Sequence, residues 1–299
     1  MYIFESEVVG IKTYSEVYLA VRKALREAGI ESSDLDARLM AAKASGKSVA
    51  AFLRDARLYV GDDTFENQMN DMMRRRLNGE PVAYITGQWE FYGLPLVITE
   101  DVLIPRDDTE VLVNEAVELL KAKGANTRVL DLCCGSGCIG LSIANTIRSA
   151  KVVMADISQK ALAVARQNAL LNNLTKNTTC IEANALETPP MLFGRFDLIV
   201  CNPPYIPTKD VEELDISVKD YEPHVALDGG EDGLDFYQAI TKNWKEVLKN
   251  GGTLMYECGI DQASSLADIL RSNGFTDIKK FKDTLGIERV VTGKYITSN

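Results

Sequence analysis

The sequence predicts an α/β protein with a mostly parallel sheet, preceded by a small all-helical module. From Arg128 onward, β-branched segments alternate with segments of helical periodicity, which is typical of a parallel sheet with right-handed crossovers. From about Thr13 to Asn78 the apolar residues recur only at helical intervals. With 299 residues, the chain is long enough for one large domain and a smaller one.

Residues 1–80 are predicted to form a bundle of four or five helices. Glycines 29, 46 and 61 interrupt the helical pattern, and Ser32 or Ser33 and Asp62 or Asp63 are suitable N-caps. The methionines of the last helix either line a binding groove or fill the core, and at this spacing the core is the commoner use. They are Met69, Met72 and Met73.

Residues 81–105 are predicted to be a linker that contains a short β-hairpin. Both Tyr84–Gly87 and Trp89–Ile98 are rich in β-branched and aromatic residues punctuated by Gly and Pro, so we expect extended structure in both. Residues 106–299 then form the second domain, which opens with a helix at Arg106–Glu110.

The second domain is predicted to contain seven strands and four further helices. The last two strands resemble a hairpin, so we expect an antiparallel strand at one edge of the sheet. The predicted strands are Arg128–Asp131, Val152–Ala155, Thr178–Ile181, Phe196–Cys201, Thr253–Glu257, Ile278–Phe281 and Glu288–Thr292. The predicted helices are Ile139–Ser149, Ser158–Asn172, Leu234–Leu248 and Gln262–Asn273.

The composition argues against several functional classes. Lys and Arg number 33 against 43 Asp and Glu, a net charge of −10, which disfavours a nucleic-acid partner and is compatible with a basic protein partner. We expect a cytoplasmic protein, because the first residues carry no basic leader and we find no uncharged stretch of membrane-spanning length. The six cysteines lack C-x-x-C spacing and the only histidine is His224, so we expect reduced cysteines and no metal site.

The segment Val129–Gly140 is predicted to be a strand, a glycine turn and a helix that together bind a ligand. Gly135 and Gly137 let the backbone approach a ligand at the helix N-terminus. Cys133, Cys134 and Ser136 belong to the same turn, and Asp131 at the strand end is placed to attract an ammonium group. The turn alone also fits a dehydrogenase, because Gly135, Gly137 and Gly140 satisfy G-x-G-x-x-G, or a purely structural tight turn.

Asp156 ends the next predicted strand, about twenty residues after the turn. A carboxylate there suits both hydroxyls of a ribose. The alternative is a role in capping the helix that begins near Ser158, and the two roles are compatible. The ammonium group that Asp131 could attract is present in S-adenosylmethionine, which has no phosphate. The turn alone does not decide between this cofactor and a dinucleotide, and the fourth strand does.

The fourth strand delivers Asn202-Pro203-Pro204-Tyr205 to the carboxyl edge of the sheet, where open α/β sheets bind ligands. The Asn202 side-chain oxygen and the Pro203 carbonyl can both accept from one NH₂ group, which would orient a planar amide nitrogen for methylation. Pro204 stiffens the loop, and Tyr205 is expected to pack on the planar group and face a sulfonium. The alternative is a proline-stiffened turn in which Tyr205 merely packs.

These residues resemble a known family. Asn-Pro-Pro-Tyr after the fourth strand is shared by methyltransferases that act on planar nitrogens, in adenine or in glutamine. Further segments are similar to the HemK-type release factor glutamine methyltransferases, and the likeness covers nearly the whole chain. They are Gly79–Gly87, Phe91–Leu94, Leu103–Glu110, Tyr221–Pro223, Ala226–Leu234 and Arg289–Gly293.

The resemblance implies a seven-stranded, Rossmann-like class I methyltransferase domain behind a helical release-factor-binding domain. It implies transfer of a methyl group from S-adenosylmethionine to N5 of the glutamine in the Gly-Gly-Gln loop of bacterial release factors. The chain departs from the family pattern in three places. Cys133 stands where the family frequently has glycine, and Asp107 stands where the family has proline. Asn184 and Ala185 replace an acid and a bulky aromatic beside the adenine, so Asn184 can still bond the base but Ala185 cannot stack on it.

The partners expected from this resemblance are release factors, with no direct nucleic-acid or membrane partner, and the protein is expected to be a monomer. A glutamine methyltransferase of a ribosomal protein would share the same site and differ in its docking surface. An adenine-N6 methyltransferase would need a basic cleft, which the net charge disfavours. A module that binds S-adenosylmethionine without catalysis is the third alternative, and the intact Asn202–Tyr205 loop disfavours it.

Overall fold

The computed structural model describes residues 12–190 and 193–296, and the chain divides into two compact units, Met1–Gly87 and Gln88–Asn299. The division falls inside the segment 81–105 that the sequence assigns to the linker, and the β-hairpin belongs to the second unit. The predicted domains also include residues 1–11 and 297–299, which lie outside the described residues.

The first unit is helical. Its helices are α1 (Tyr14–Glu27), α2 (Ser33–Ser45), α3 (Val49–Asp55), α4 (Thr64–Leu77) and α5 (Val82–Thr86). Thr13 and Glu16 form a capping box at α1, since the Thr13 side chain accepts from the Glu16 N–H and the Glu16 carboxylate accepts from the Thr13 N–H. Rings of Tyr14, Phe52 and Phe65 pack against one another. The three methionines of α4 are buried, which confirms the core interpretation.

The prediction of extended structure at Tyr84–Gly87 is wrong, because Val82–Thr86 forms the short helix α5. Gly87, at φ +70°, ends the helix and donates its N–H to the Ala83 carbonyl. Four of the five residues of α5 are buried, so tertiary packing outweighs the β propensity of its branched residues.

The second unit begins with the predicted hairpin, formed by β1 (Gln88–Phe91) and β2 (Leu94–Val97). Tyr92 and Gly93 both have positive φ, as a two-residue turn that matches the strand twist requires. Asn168 holds β2 in place by accepting from the Val97 N–H at 2.7 Å and donating to its carbonyl at 3.0 Å.

The main sheet of the second unit has seven strands, the number that the sequence predicts. Their order in the sheet is β5-β4-β3-β6-β7-β9-β8. The last two strands form the predicted antiparallel pair at one edge of the sheet, and β9, which is antiparallel to both of its neighbours, lies second from that edge. The last hairpin inserts its second strand beside β7, which leaves β8 outermost. The strands are β3 (Arg128–Leu132), β4 (Lys151–Asp156), β5 (Thr178–Glu182), β6 (Phe196–Cys201), β7 (Leu248–Glu257), β8 (Phe275–Lys282) and β9 (Glu288–Tyr295).

Helices cover the sheet and bury its apolar residues. The helix predicted over Leu234–Leu248 is shorter, because a 3-10 turn at Lys245–Val247 leads directly into β7. Trp244 and Tyr237 are fully buried beside β6 and β7. The helices are α6 (Glu110–Lys123), α7 (Cys138–Thr146), α8 (Gln159–Leu171), α9 (Thr208–Val211), α10 (Ile216–Lys219), α11 (Asp235–Asn243) and α12 (Ala263–Ser272). Among the described residues, no helix has the length and apolar character needed to cross a membrane.

Candidate functional site

A cavity of about 220 Å³ opens at the carboxyl edge of the sheet in the second unit. Four consecutive strands contribute to its wall, because the carboxyl ends of parallel strands meet at one edge. Nine of the residues that the sequence nominates line it: Cys133, Cys134, Gly135, Ser136, Asp156, Asn184, Ala185, Asn202 and Pro204. Four nominated residues do not line it: Asp131, Gly137, Pro203 and Tyr205.

The turn after β3 has the backbone geometry of a ligand cradle. Cys133, Gly135 and Gly137 all have φ in the left-handed region, between +50° and +79°. Cys133 therefore adopts a conformation that glycine favours, which agrees with a glycine being frequent there. Ser136 is buried, and its hydroxyl oxygen has no hydrogen-bond partner among the described residues. Ser136 is one of the residues that line the cavity.

Asp131 lies beneath the turn and not on the cavity wall. It is fully buried, and its Oδ2 accepts from the Gly140 N–H at 2.8 Å, while Oδ1 has no partner among the described residues. Burial raises the pKa of Asp131 to about 7, although the Gly140 hydrogen bond lowers it. Asp131 therefore fixes the start of α7 to the end of β3, and its attraction for an ammonium group stays a prediction.

Asp156 combines the two roles considered for it. Its Oδ1 accepts from the Ser158 N–H and its Oδ2 from the Gly135 N–H, each at 2.9 Å. Ser158 is the N-cap of α8, so Asp156 supports the cap without being it. Burial raises the pKa of Asp156, and these two N–H groups lower it. Each carboxylate oxygen keeps a second lone pair, so Asp156 can still accept hydroxyl groups from the cavity.

The residues after β5 form a mostly apolar part of the wall. Asn184 is held locally, since its Oδ1 accepts from the Leu186 N–H at 3.0 Å and its Nδ2 donates to Glu187 Oε1 at 2.9 Å. The Ala185 carbonyl accepts from Trp244 Nε1 at 2.9 Å. Apolar residues that the sequence analysis did not nominate share this wall, namely Ile157, Leu186 and Phe236.

The Asn202–Tyr205 loop is held from both sides. The Tyr205 carbonyl accepts from Gln262 Nε2 at 2.9 Å, and Gly229 donates its N–H to the Ile206 carbonyl at 2.8 Å. Gly229 and Gly233 lie so close to Tyr205 that a Cβ on either would be 2.7 Å or less from the Tyr205 backbone. These glycines therefore let a second segment pack directly on the loop.

The Tyr205 ring packs against the buried core and not on the cavity wall. Burial raises the pKa of its phenol well above the usual range. In this arrangement Tyr205 supports the loop, and its packing on a substrate's planar group stays a prediction. By contrast, Asn202 lies on the wall, and its Nδ2 donates to Thr109 Oγ1 at 3.5 Å.

Two buried carboxyl groups near the cavity were missed by the sequence analysis. Glu222 pairs with Arg106, which lines the cavity. Glu257 ends β7 and is 2% exposed, and burial raises its pKa to about 7. The rule that nominated Asn202, a polar residue at the carboxyl end of a buried strand, also identifies Glu257.

The arrangement places a carboxylate that suits a ribose, Asp156, and an amide acceptor, Asn202, on the wall of one cavity. His224 is exposed and all six cysteines are free thiols. Within residues 12–190 and 193–296, no group of three or more candidate side chains is arranged to hold a metal.

Comparison with known proteins connects this site to a family. Residues 107–217 match the family described as methyltransferase small domain, and residues 16–87 match the PrmC N-terminal domain. The chain is 41% identical to a release factor glutamine methyltransferase of Geobacter sulfurreducens, over 95% of this chain and 97% of that protein. It is 38% identical to one of Agrobacterium fabrum, over 95% and 98%. A methyltransferase from Pyrococcus furiosus shares the fold, with a TM-score of 0.51 and 16% identity over 76% of this chain and 99% of that chain.

Proposed function

The chain belongs to the release factor glutamine methyltransferase family, and from that premise we propose that it methylates N5 of the glutamine in the Gly-Gly-Gln loop of a bacterial peptide chain release factor. The observation that carries the proposal is the position of Asn202. Its side chain lies on the wall of the cavity that also contains the Gly135 turn and Asp156.

The methyl donor is S-adenosylmethionine, and the residues present fit it. The left-handed turn at Cys133–Gly137 brings backbone close to the cavity, and Cys133, Cys134, Gly135 and Ser136 line its wall. Asp156 would accept the ribose hydroxyls, and Ile157 and Leu186 offer apolar surface to the base. When bound, this donor supplies an electrophilic methyl group on a sulfonium.

The chain's own contribution is to grip and orient the substrate nitrogen. An amide nitrogen is a poor nucleophile, because its lone pair is delocalised into the carbonyl. In our proposal, Asn202 Oδ1 and the Pro203 carbonyl each accept one N–H of the glutamine amide and turn the nitrogen toward the methyl group. Holding reactants in this way contributes up to roughly 7–11 kcal/mol to lowering a barrier. A strong base is unnecessary, because N-methylation makes the departing N–H proton acidic.

We further propose that the helical unit docks the release factor, and that the protein acts as a monomer in the cytoplasm without contacting nucleic acid. Deleting residues 1–87 should raise KM for release factor while the Kd for S-adenosylmethionine stays within about twofold. An unchanged KM would contradict the docking role. Light scattering of the purified protein, alone and with release factor, measures the stoichiometry.

Mass spectrometry of a release factor incubated with the protein and S-adenosylmethionine tests the function. We expect one added methyl group on the Gly-Gly-Gln glutamine, and none on a substrate in which that residue is alanine. Asn202→Ala should abolish the product and retain cofactor binding. The matched control is Asn145→Ala, an amide on α7 whose partner is the exposed Arg148. No methylation of release factor by a wild-type protein that binds the cofactor would refute the proposal and direct the search to ribosomal proteins and adenine.

A further inference from the structure

Asn202 and Glu257 lie side by side at the carboxyl edge of the sheet. β6 and β7 are parallel neighbours in which Cys201 pairs with Tyr256, so Asn202 and Glu257 are the next residues along each strand. Paired positions of neighbouring strands project their side chains to the same face. Thr109, at the start of α6, lies within hydrogen-bond distance of Asn202 there.

The three side chains form a small, nearly dry polar cluster. Thr109 and Glu257 are each 2% exposed. Asn202 Nδ2 lies 3.5 Å from Thr109 Oγ1. Thr109 and Asn202 both lower the pKa of the Glu257 carboxyl group, whose buried Oε2 has no hydrogen-bond partner among the described residues. A hydroxyl has one hydrogen, so a Thr109 hydroxyl that donates to a carboxylate can only accept from the Asn202 amide.

We propose that Glu257 is a positioning residue for methyl transfer, because its carboxylate directs the Thr109 hydroxyl and thereby holds the Asn202 amide with its oxygen toward the cavity. The inference rests on the proposed function, in which the Asn202 oxygen accepts from the glutamine NH₂ group. If the Asn202 amide were reversed, its NH₂ would face the substrate NH₂, and two donors cannot bond each other.

The protonation state of Glu257 decides how well this cluster works. Burial raises its pKa to about 7, while Thr109, Arg289 and Asn202 lower it and Asp108 raises it. Arg289 approaches from β9, where it also pairs with Asp108 at 2.9 Å and with Asp283 at 3.1 Å. Below pH 7 the neutral acid can itself donate to Thr109, so the direction of the hydrogen bonds is no longer fixed.

Kinetics of the full chain with release factor test the inference. Thr109→Val removes the hydroxyl at constant shape, and we expect kcat to fall about 10- to 100-fold, the range for losing a hydrogen bond to a charged group. Its matched partner Thr109→Ser should recover kcat to within about threefold of wild type. Glu257→Gln should lower kcat about tenfold with KM and the cofactor Kd within about threefold, and should remove the fall in wild-type kcat below pH 7. Unaltered kcat and pH profile in Glu257→Gln would overturn the inference.

A second measurement needs no substrate. In protein labelled with ¹⁵N-asparagine, the side-chain NH₂ signal of Asn202, assigned from its loss in Asn202→Asp, should shift with a midpoint near pH 7. The shift should vanish in Glu257→Gln. An Asn202 signal that does not titrate in wild type would refute the positioning role even if methylation occurs. A titrating signal in a protein that does not methylate release factor would refute the proposed function and retain the coupling of Glu257 to Asn202.

Discussion

Gly233→Ala should inactivate the enzyme through the Asn202–Tyr205 loop, although Gly233 does not line the cavity. A Cβ at this position would be 2.3 Å from the Tyr205 carbonyl oxygen, and ordinary contacts begin at 3.4 Å, so the two segments must separate by about 1.1 Å. It would also lie 2.7 Å from Gln262 Nε2, the group that holds that carbonyl. A displacement of about 1 Å at a reacting centre can reduce turnover about 100-fold. We therefore expect kcat to fall by about that factor.

The control for this prediction is Gly251→Ala. Gly251 has the same φ of +74° as Gly233, and its added Cβ would meet only a lysine side chain at 3.5 Å. Both variants therefore incur the same left-handed backbone cost, about 1–2 kcal/mol, and only Gly233→Ala displaces the loop. Initial rates at saturating release factor, the cofactor Kd and the thermal midpoint of both variants are the measurements. Equal kcat in the two variants would show that the loop does not depend on this close approach.

Further predictions concern the cofactor site and stability. Asp156→Ala should raise the Kd for S-adenosylmethionine, measured by calorimetry, at least about tenfold. The reason is that a carboxylate that accepts charge-assisted hydrogen bonds contributes roughly 1.5–3 kcal/mol. An unaltered Kd would remove Asp156 from the ribose site. Arg76→Met should lower the free energy of unfolding, measured by urea denaturation, by about 3 kcal/mol. The substitution leaves the buried Asp36 carboxylate without the guanidinium that pairs with it at 2.6 Å. A loss below about 1 kcal/mol would contradict this prediction. The cofactor-free protein should lose stability as pH rises through 7, because Asp131 and Glu257 have folded-state pKa values of about 7, above their unfolded values of 3.8 and 4.5. Their stabilising effect is complete below the unfolded pKa, and between pH 5.5 and 8 each loses about 2 kcal/mol. Urea unfolding that is independent of pH in this window would refute both raised pKa values.

The site was largely predictable because its parts end consecutive strands. Local patterns mark where a buried strand stops, and parallel strands bring their carboxyl ends together at one edge. Asp156 and Asn202 could therefore be placed on one wall from the sequence. Cys133 also follows this logic, since a left-handed position in a tight turn explains why glycine is frequent there.

Other features depended on packing between distant segments. The Tyr205 ring could have faced either the cavity or the core, and only the arrangement around α11 and β7 places it against the core. Thr109 lies 93 residues from Asn202 in the chain, and no local pattern brings their side chains together. The helix at Val82–Thr86 formed against the β propensity of its residues because burial outweighed it.

By itself, the sequence determined the α/β class, the helical first unit and the chemistry at the strand ends, because periodicity and turn residues encode these locally. The tertiary structure alone decided which strand lies next to the edge of the sheet. It also decided which residues of the Asn202–Tyr205 loop face the cavity, and which buried acid lies beside Asn202. Those outcomes depend on how side chains far apart in the chain share a common core, and pairwise contacts of that kind leave no periodic pattern in the sequence.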